Sequence, residues 1–258
     1  MKNVGLGALF TLQFFSVCPI RKNIEPNSSV VRSCLIWLPV LGLVIGIINA
    51  FIFYGLASIT TMSLISLIIF AIMLPAIWSG GLHLDGLMDT GDAFFSYQDS
   101  HKRLEVMGDP RTGAFGVLVL LAVLIMRFVF MYETFLTDSS AILFIIIVPI
   151  FSRGVMVMLL GNTLPARSRG LSHFFKRHYH HNVTLTIIGL MFVTSAAVSL
   201  HSLSYFMVSF AMLLVSLIGM WGIRVWALRS FGGITGDVCG ATLEGMETFL
   251  WFIVWLCI

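Results

Sequence analysis

Apolar runs recur at residues 35–57, 62–78, 114–132, 140–160, 183–200, 204–226 and 246–258, and they dictate the solvent this chain folds in. A spanning helix needs about 20 mostly apolar residues to cross a hydrocarbon core of about 30 Å, because every backbone N–H and C=O there must be bonded within the segment. The second and last runs are short for that task. With 58% hydrophobic and 10% charged residues, the composition lies far from soluble domains, which are about 45–50% apolar. The expected fold is all-α: a polytopic integral membrane helical bundle of about six or seven transmembrane helices, forming a single domain over 1–258. Residues 4–18 are a further apolar run led by Lys2. They read as a retained helix, since no small-residue cleavage pattern precedes Cys18-Pro19.

Charge then sorts the loops. Twelve of the fifteen Lys and Arg fall in 19–33, 79–112, 161–182 and 223–247, whereas the connectors 58–61, 133–139 and 201–203 carry none. The positive-inside rule places the four long loops in the cytoplasm, with the chain multi-pass in the cell (inner) membrane and lipid around it. Ten of the twelve acids share that side, so the net charge of +3 makes no case for nucleic acid. Cys18, Cys34, Cys239 and Cys257 lack metal-ligand spacing and read as apolar fillers.

The loops also carry the chemistry. Residues 80–92 read GGLHLDGLMDTGD, with Asp85, Asp89 and Asp92 at i, i+4 and i+7, one stripe of a helix. Three carboxylates at a membrane face repel one another unless a cation joins them, and a hard, oxygen-seeking ion such as Mg²⁺ suits that position. The plain alternative is a hydrated loop in which Gly80-Gly81 ends the preceding helix. Downstream, Asp109 and Arg111 stand between Gly108 and Gly113, where a planar guanidinium fork is suited to phosphate oxygens. Arg153 falls inside an apolar run, at a cost of about 2.5–3.5 kcal/mol on insertion scales, and so needs a partner or a wet cavity. Arg127 fits a snorkelling side chain near a helix end. The stretch 161–182, with Arg167, Arg169, Lys176, Arg177, His178, His180 and His181, suits anionic headgroups; adjacent histidines on a loop define no metal geometry. Gly232, Gly233, Thr235, Gly236 and Asp237 form a turn that admits a phosphate or sugar, with Glu244 seven residues beyond Asp237 on the same helix face. No Gly-Lys-Ser/Thr follows, which weighs against ATP hydrolysis. The plain alternative is that these glycines pack helices together.

These blocks, with RLEVMGDPRTGAFG at 103–116, SRG at 152–154, RSRGL at 167–171 and GGITGDVCGATLE at 232–244, resemble the cobalamin synthases, or adenosylcobinamide-GDP ribazoletransferases, in order along essentially the whole chain. The resemblance implies a Mg²⁺-dependent membrane transferase that joins adenosylcobinamide-GDP to α-ribazole or its 5′-phosphate and releases GMP. It implies Asp85, Asp89 and Asp92 as metal ligands, Asp237 with Glu244 as holding a second metal or the ribose, and Asp92 or His83 as the general base. Arg111, Arg153, Asp109, Gly232, Gly233, Thr235 and Gly236 are then expected to contact substrate. Partners beyond the substrates would be lipid, a second copy, or other enzymes of the cobalamin pathway. Ala93, Pro110 and Ser172 depart from the usual Gly, Ser and Gly of the family, and Pro110 removes a backbone donor beside Arg111. A CDP-alcohol phosphotransferase would cluster aspartates similarly, but its Asp-Gly-x-x-Ala-Arg signature is missing; a transporter would place its acids at mid-membrane.

Overall fold

The protein, seen here as a computed structural model, is described over residues 2–258. Eleven helices follow in order: α1 (Lys2–Phe15), α2 (Ser28–Ile59), α3 (Leu64–Trp78), α4 (Leu82–Ser96), α5 (Ser100–Val106), α6 (Ala114–Thr137), α7 (Ile142–Asn162), α8 (Leu171–His178), α9 (His181–Val198), α10 (Leu203–Phe231) and α11 (Gly236–Cys257). Short polar side chains start several of them. Asn27 Oδ1 accepts from Ser29 and Val30 N–H at the head of α2, and Asp99 Oδ1 accepts from Lys102 N–H at the head of α5.

Five helices, α2, α6, α7 (with the 3₁₀ turn before it), α9 and α10, are long and apolar enough to cross a membrane, or six spans if α3 and α4 count as one. That agrees with an all-α polytopic membrane protein at the lower end of the expected span number. The difference lies in α3: Gly80 and Gly81, at φ +65° and +79°, turn the chain by 92° into α4. Helix α4 therefore does not continue α3 in a straight line. In α11 the first half holds Asp237 and Glu244, and the apolar run expected at 246–258 matches the second half, with Glu247 inside it. Helix α1 has 14 residues, about 21 Å at 1.5 Å per residue, and packs along α2.

Helix α7 is the hub, buried along most of its length between α2, α9, α10 and α11. Its approach to α2 runs through Gly42 and Gly46, a G-x-x-x-G pair; a Cβ on either would stand 2.4 Å from Pro149 O or 2.7 Å from Ile146 Cα. The loops rich in Lys and Arg gather at one end. Arg103 donates to Ser230 O at 3.0 Å, Ala166 N–H to Ile234 O at 2.9 Å, and Val17 N–H to Trp78 O at 2.9 Å. This end carries the candidate site.

Candidate functional site at the crossing of α4 and α11

Two glycines bring α4 and α11 into backbone contact. A Cβ on Gly86 would lie 2.9 Å from Asp237 Cα, and one on Gly240 would lie 3.1 Å from the His83 carbonyl oxygen. Only helices without side chains at those points approach so closely. The crossing sets Asp85 and Asp89 of α4 beside Asp237, in the first turn of α11, whose cap is Thr235: its Oγ1 accepts from Val238 N–H at 3.1 Å. Helix N-termini favour the negative charges of Asp85 and Asp237.

The acids crowd one another. Burial, then Asp85, Asp237 and Asp92, pushes the Asp89 carboxyl up to about 6. Asp237 is raised as well, chiefly by burial, with Arg167 working against the rise. Among the described residues, Asp85, Asp89 and Asp237 take part in no ion pair. An oxygen-only cluster with unbalanced negative charge fits a hard divalent cation. Its carboxylates do not yet converge: no three His, Cys, Asp or Glu among the described residues stand in metal-holding geometry. Side-chain rotation about exposed Asp85 and half-buried Asp89 and Asp237 is what would close the set.

Other expected site residues lie elsewhere or are already engaged. Asp92 is on the predicted stripe but buried, and its two oxygens accept from Gly113 N–H at 2.7 Å and Gly116 N–H at 2.8 Å, capping α6. Glu244 lies seven residues past Asp237, about 10 Å farther along the helix, and there it pairs with Arg127 at 2.8 Å. Arg153, 2% exposed, meets Glu247 at 3.0 Å and Pro149 O at 3.2 Å inside the bundle. Arg127, expected to snorkel, is 3% exposed and also bonds Glu247 at 3.2 Å and Thr248 Oγ1 at 3.1 Å. Arg111 and Asp109 form a bidentate pair at the surface, 2.9 and 2.6 Å, which holds the Asp109 carboxyl down at about 2. Gly232, at φ +71°, ends α10, and Gly233 presses on Leu164–Pro165–Ala166, where a Cβ would stand 2.5 Å from Leu164 O. Gly236 opens α11, with only Leu171 near its missing Cβ. These glycines serve chain geometry.

His83 is 5% exposed and lies parallel to the Phe15 ring, with centroids 6.5 Å apart. Burial, reinforced by the Arg153 charge, pushes its imidazole down to about 3, so it is neutral at pH 7 and a weak base. His180 accepts from Asn182 N–H at the head of α9. One residue was undervalued by its sequence context. Arg167 leaves the α7–α8 loop, donates to Leu104 O and abuts Gly108, and its charge reaches Asp237. The only signal for this in the sequence is its place in RSRGL; the pairing of residues 164–166 with Ile234 that carries it there is a tertiary event.

The family model described as Cobalamin-5-phosphate synthase matches residues 7–255. An "Adenosylcobinamide-GDP ribazoletransferase" from Geobacillus sp. (strain WCH70) is 36% identical over 99% of this chain and 97% of its own length, and a protein of the same name from Clostridium botulinum (strain 657 / Type Ba4) is 31% identical over 97% and 98%. No solved structure matches. From the ordered motifs, the helical membrane bundle and these full-length matches, the chain belongs to the cobalamin-5-phosphate synthase family.

Proposed function

We propose that the protein is a membrane transferase joining adenosylcobinamide-GDP to α-ribazole or its 5′-phosphate, with release of GMP, at the acidic crossing of α4 and α11. The full-length relatives carry that activity in their names. The observation that carries the site is the acid set Asp85, Asp89 and Asp237, gathered at a glycine contact and engaged in no ion pair among the described residues.

Asp85 and Asp237 would hold Mg²⁺, with Asp89 beside them. When bound, the ion neutralises phosphoryl oxygens and the charge gathering on the leaving GMP. Arg167, opposite Asp237, would hold the diphosphate through its planar fork. A ribose hydroxyl of the acceptor forms the new bond to the phosphorus on the cobinamide side as the bond to GMP breaks. Its proton passes to Asp89, whose raised pKa suits acceptance near neutral pH better than the depressed His83 or the doubly bonded Asp92. The positive-inside pattern supports a cytoplasmic orientation of this end, and the site's reliance on elements from α1 to α11 supports a single domain.

The experiment is GMP release by detergent-purified protein supplied with adenosylcobinamide-GDP and α-ribazole, with Mg²⁺ or with a chelator. Metal-dependent GMP together with a joined corrinoid supports the reading. Equal turnover under chelation removes Mg²⁺ from it, and no turnover by folded, metal-loaded protein removes the reaction.

A further inference from the structure

We propose that the cavity lined by α1, α2, α4, α7, α8 and α11 is the subsite for the flat aromatic base of the nucleoside acceptor. The inference rests on the transfer reading and extends it, because it assigns one substrate half to one set of residues. The cavity measures about 90 Å³ and has two unlike ends. Phe15 of α1, Phe175 of α8 and Met156 of α7 form an apolar floor; Phe175 is 2% exposed and Met156 4%. His83, Asp85 and Asp237 form the other end, which is the acidic crossing itself.

This polarity matches a nucleoside laid lengthwise. A planar base gains area and stacking among aromatic rings, and Phe15 and His83 already present near-parallel faces, 17° apart. The attached ribose then points its hydroxyls toward Asp85 and Asp237, where the transferred phosphorus must arrive. A lipid chain would fill the floor but leave the carboxylates desolvated without a partner, a costly arrangement. The cavity at about 90 Å³ is below the roughly 150 Å³ that benzene occupies in an engineered protein core, so a flat base needs a modest widening, whereas a corrin macrocycle, several times larger, is excluded. For the same reason the rim has to widen around a bicyclic base. Leu171 at the mouth is 45% exposed and Phe14 is partly exposed, so the opening yields there while the floor stays fixed.

The test compares wild type with Phe15→Ala, which enlarges the cavity, and Met156→Phe, which fills it, by initial rates of GMP release with each substrate varied in turn. The acceptor KM should rise about tenfold in both while the donor KM stays within about twofold. Base preference should move in opposite directions: Phe15→Ala gains relative kcat/KM for acceptors with bulkier bases, and Met156→Phe for smaller ones. Should Met156→Phe fail to fold, the shift in Phe15→Ala alone decides. Unchanged base preference, or a rise in donor KM with the acceptor KM constant, overturns the subsite. Those outcomes leave wild-type turnover intact, whereas absence of wild-type turnover sinks the transfer reading and the subsite with it.

Discussion

Helix α11 carries two charged regions a few turns apart, and they are built on opposite terms. In the bundle interior, Glu244 and Glu247 face Arg127 and Arg153, two acids against two bases, with Ser152 and Thr248 adding hydrogen bonds at 3.2 and 3.1 Å. At the head of the helix, Asp237 joins Asp85 and Asp89 with no ion pair among them. The interior set has its charge balanced by the protein and ties α6, α7 and α11 together. The end set is left with charge for something else to balance. In a chain with few charged residues, compensated groups report on the fold and uncompensated ones on the chemistry.

The largest expected effect breaks the interior set. Glu247→Ala leaves Arg153 with only the Pro149 carbonyl and takes one partner from Arg127, both almost fully buried. Removing one member of a buried ion pair costs about 3–5 kcal/mol, so thermal unfolding in detergent should show a large fall in midpoint or loss of the folded monodisperse species. A variant as stable as wild type would mean that water or lipid already solvates Arg153, and the contrast between the regions would collapse.

Next comes the end set. Asp237→Asn removes a charge that the fold does not balance, so stability should hold or rise slightly while GMP release falls by about 100-fold or more, the scale of losing a metal-directed contribution. Matched losses of stability and activity would assign Asp237 to the same structural role as Glu247.

The contrast also explains what could be read in advance. Apolar length and loop charge revealed the helices, because bilayer physics acts on local sequence. Spacing placed Asp85 and Asp89 on one face correctly as helix geometry, but it could not say that Asp92, on the same stripe, spends both oxygens on α6. Asp237 and Glu244 likewise share a helix face, yet seven residues separate the membrane end from the interior. For Arg153 the need for a partner was legible and the partner's identity was not, since Glu247 lies 94 residues away in sequence. Long-range pairing of this kind is decided by packing, here by close approaches at Gly42, Gly46, Gly86 and Gly240.

A smaller effect sharpens the uncompensated side. Arg167→Lys keeps the charge near Asp237 but loses the planar fork, so the donor KM should rise about tenfold with little change in unfolding midpoint. Arg167→Ala should rise further. A change in acceptor KM alone would move Arg167 from the diphosphate to the nucleoside.

The smallest effects separate two acids, Asp109 of the surface pair and half-buried Asp89, by pH. Asp109 is exposed and paired with Arg111, and its carboxyl is held at about 2. Its pKa is depressed on folding, so its contribution is complete above the ordinary carboxylate range and fades only as pH falls through about 2; because the pair is exposed and screened by solvent that contribution is small, and Asp109→Asn should lower the unfolding midpoint only slightly and by the same amount throughout pH 5–7. Asp89 has the opposite sign. Its pKa rises on folding to about 6, so the folded state binds the proton more tightly, and metal-free protein should gain stability as pH falls from 7 through 6 toward the unfolded value near 4. Activity should move the other way, falling on acidification, because protonated Asp89 neither supports a cation nor accepts a proton; bound Mg²⁺ offsets the carboxylate repulsion and so places that fall at lower pH than the rise in metal-free stability. The decisive measurement is a pair of pH profiles, midpoint in chelator and turnover at saturating Mg²⁺, for wild type and Asp89→Asn. The variant should flatten the stability profile between pH 5 and 7. If both wild-type profiles fall together on acidification, the charge at the crossing is already balanced, and the end set belongs with the interior one.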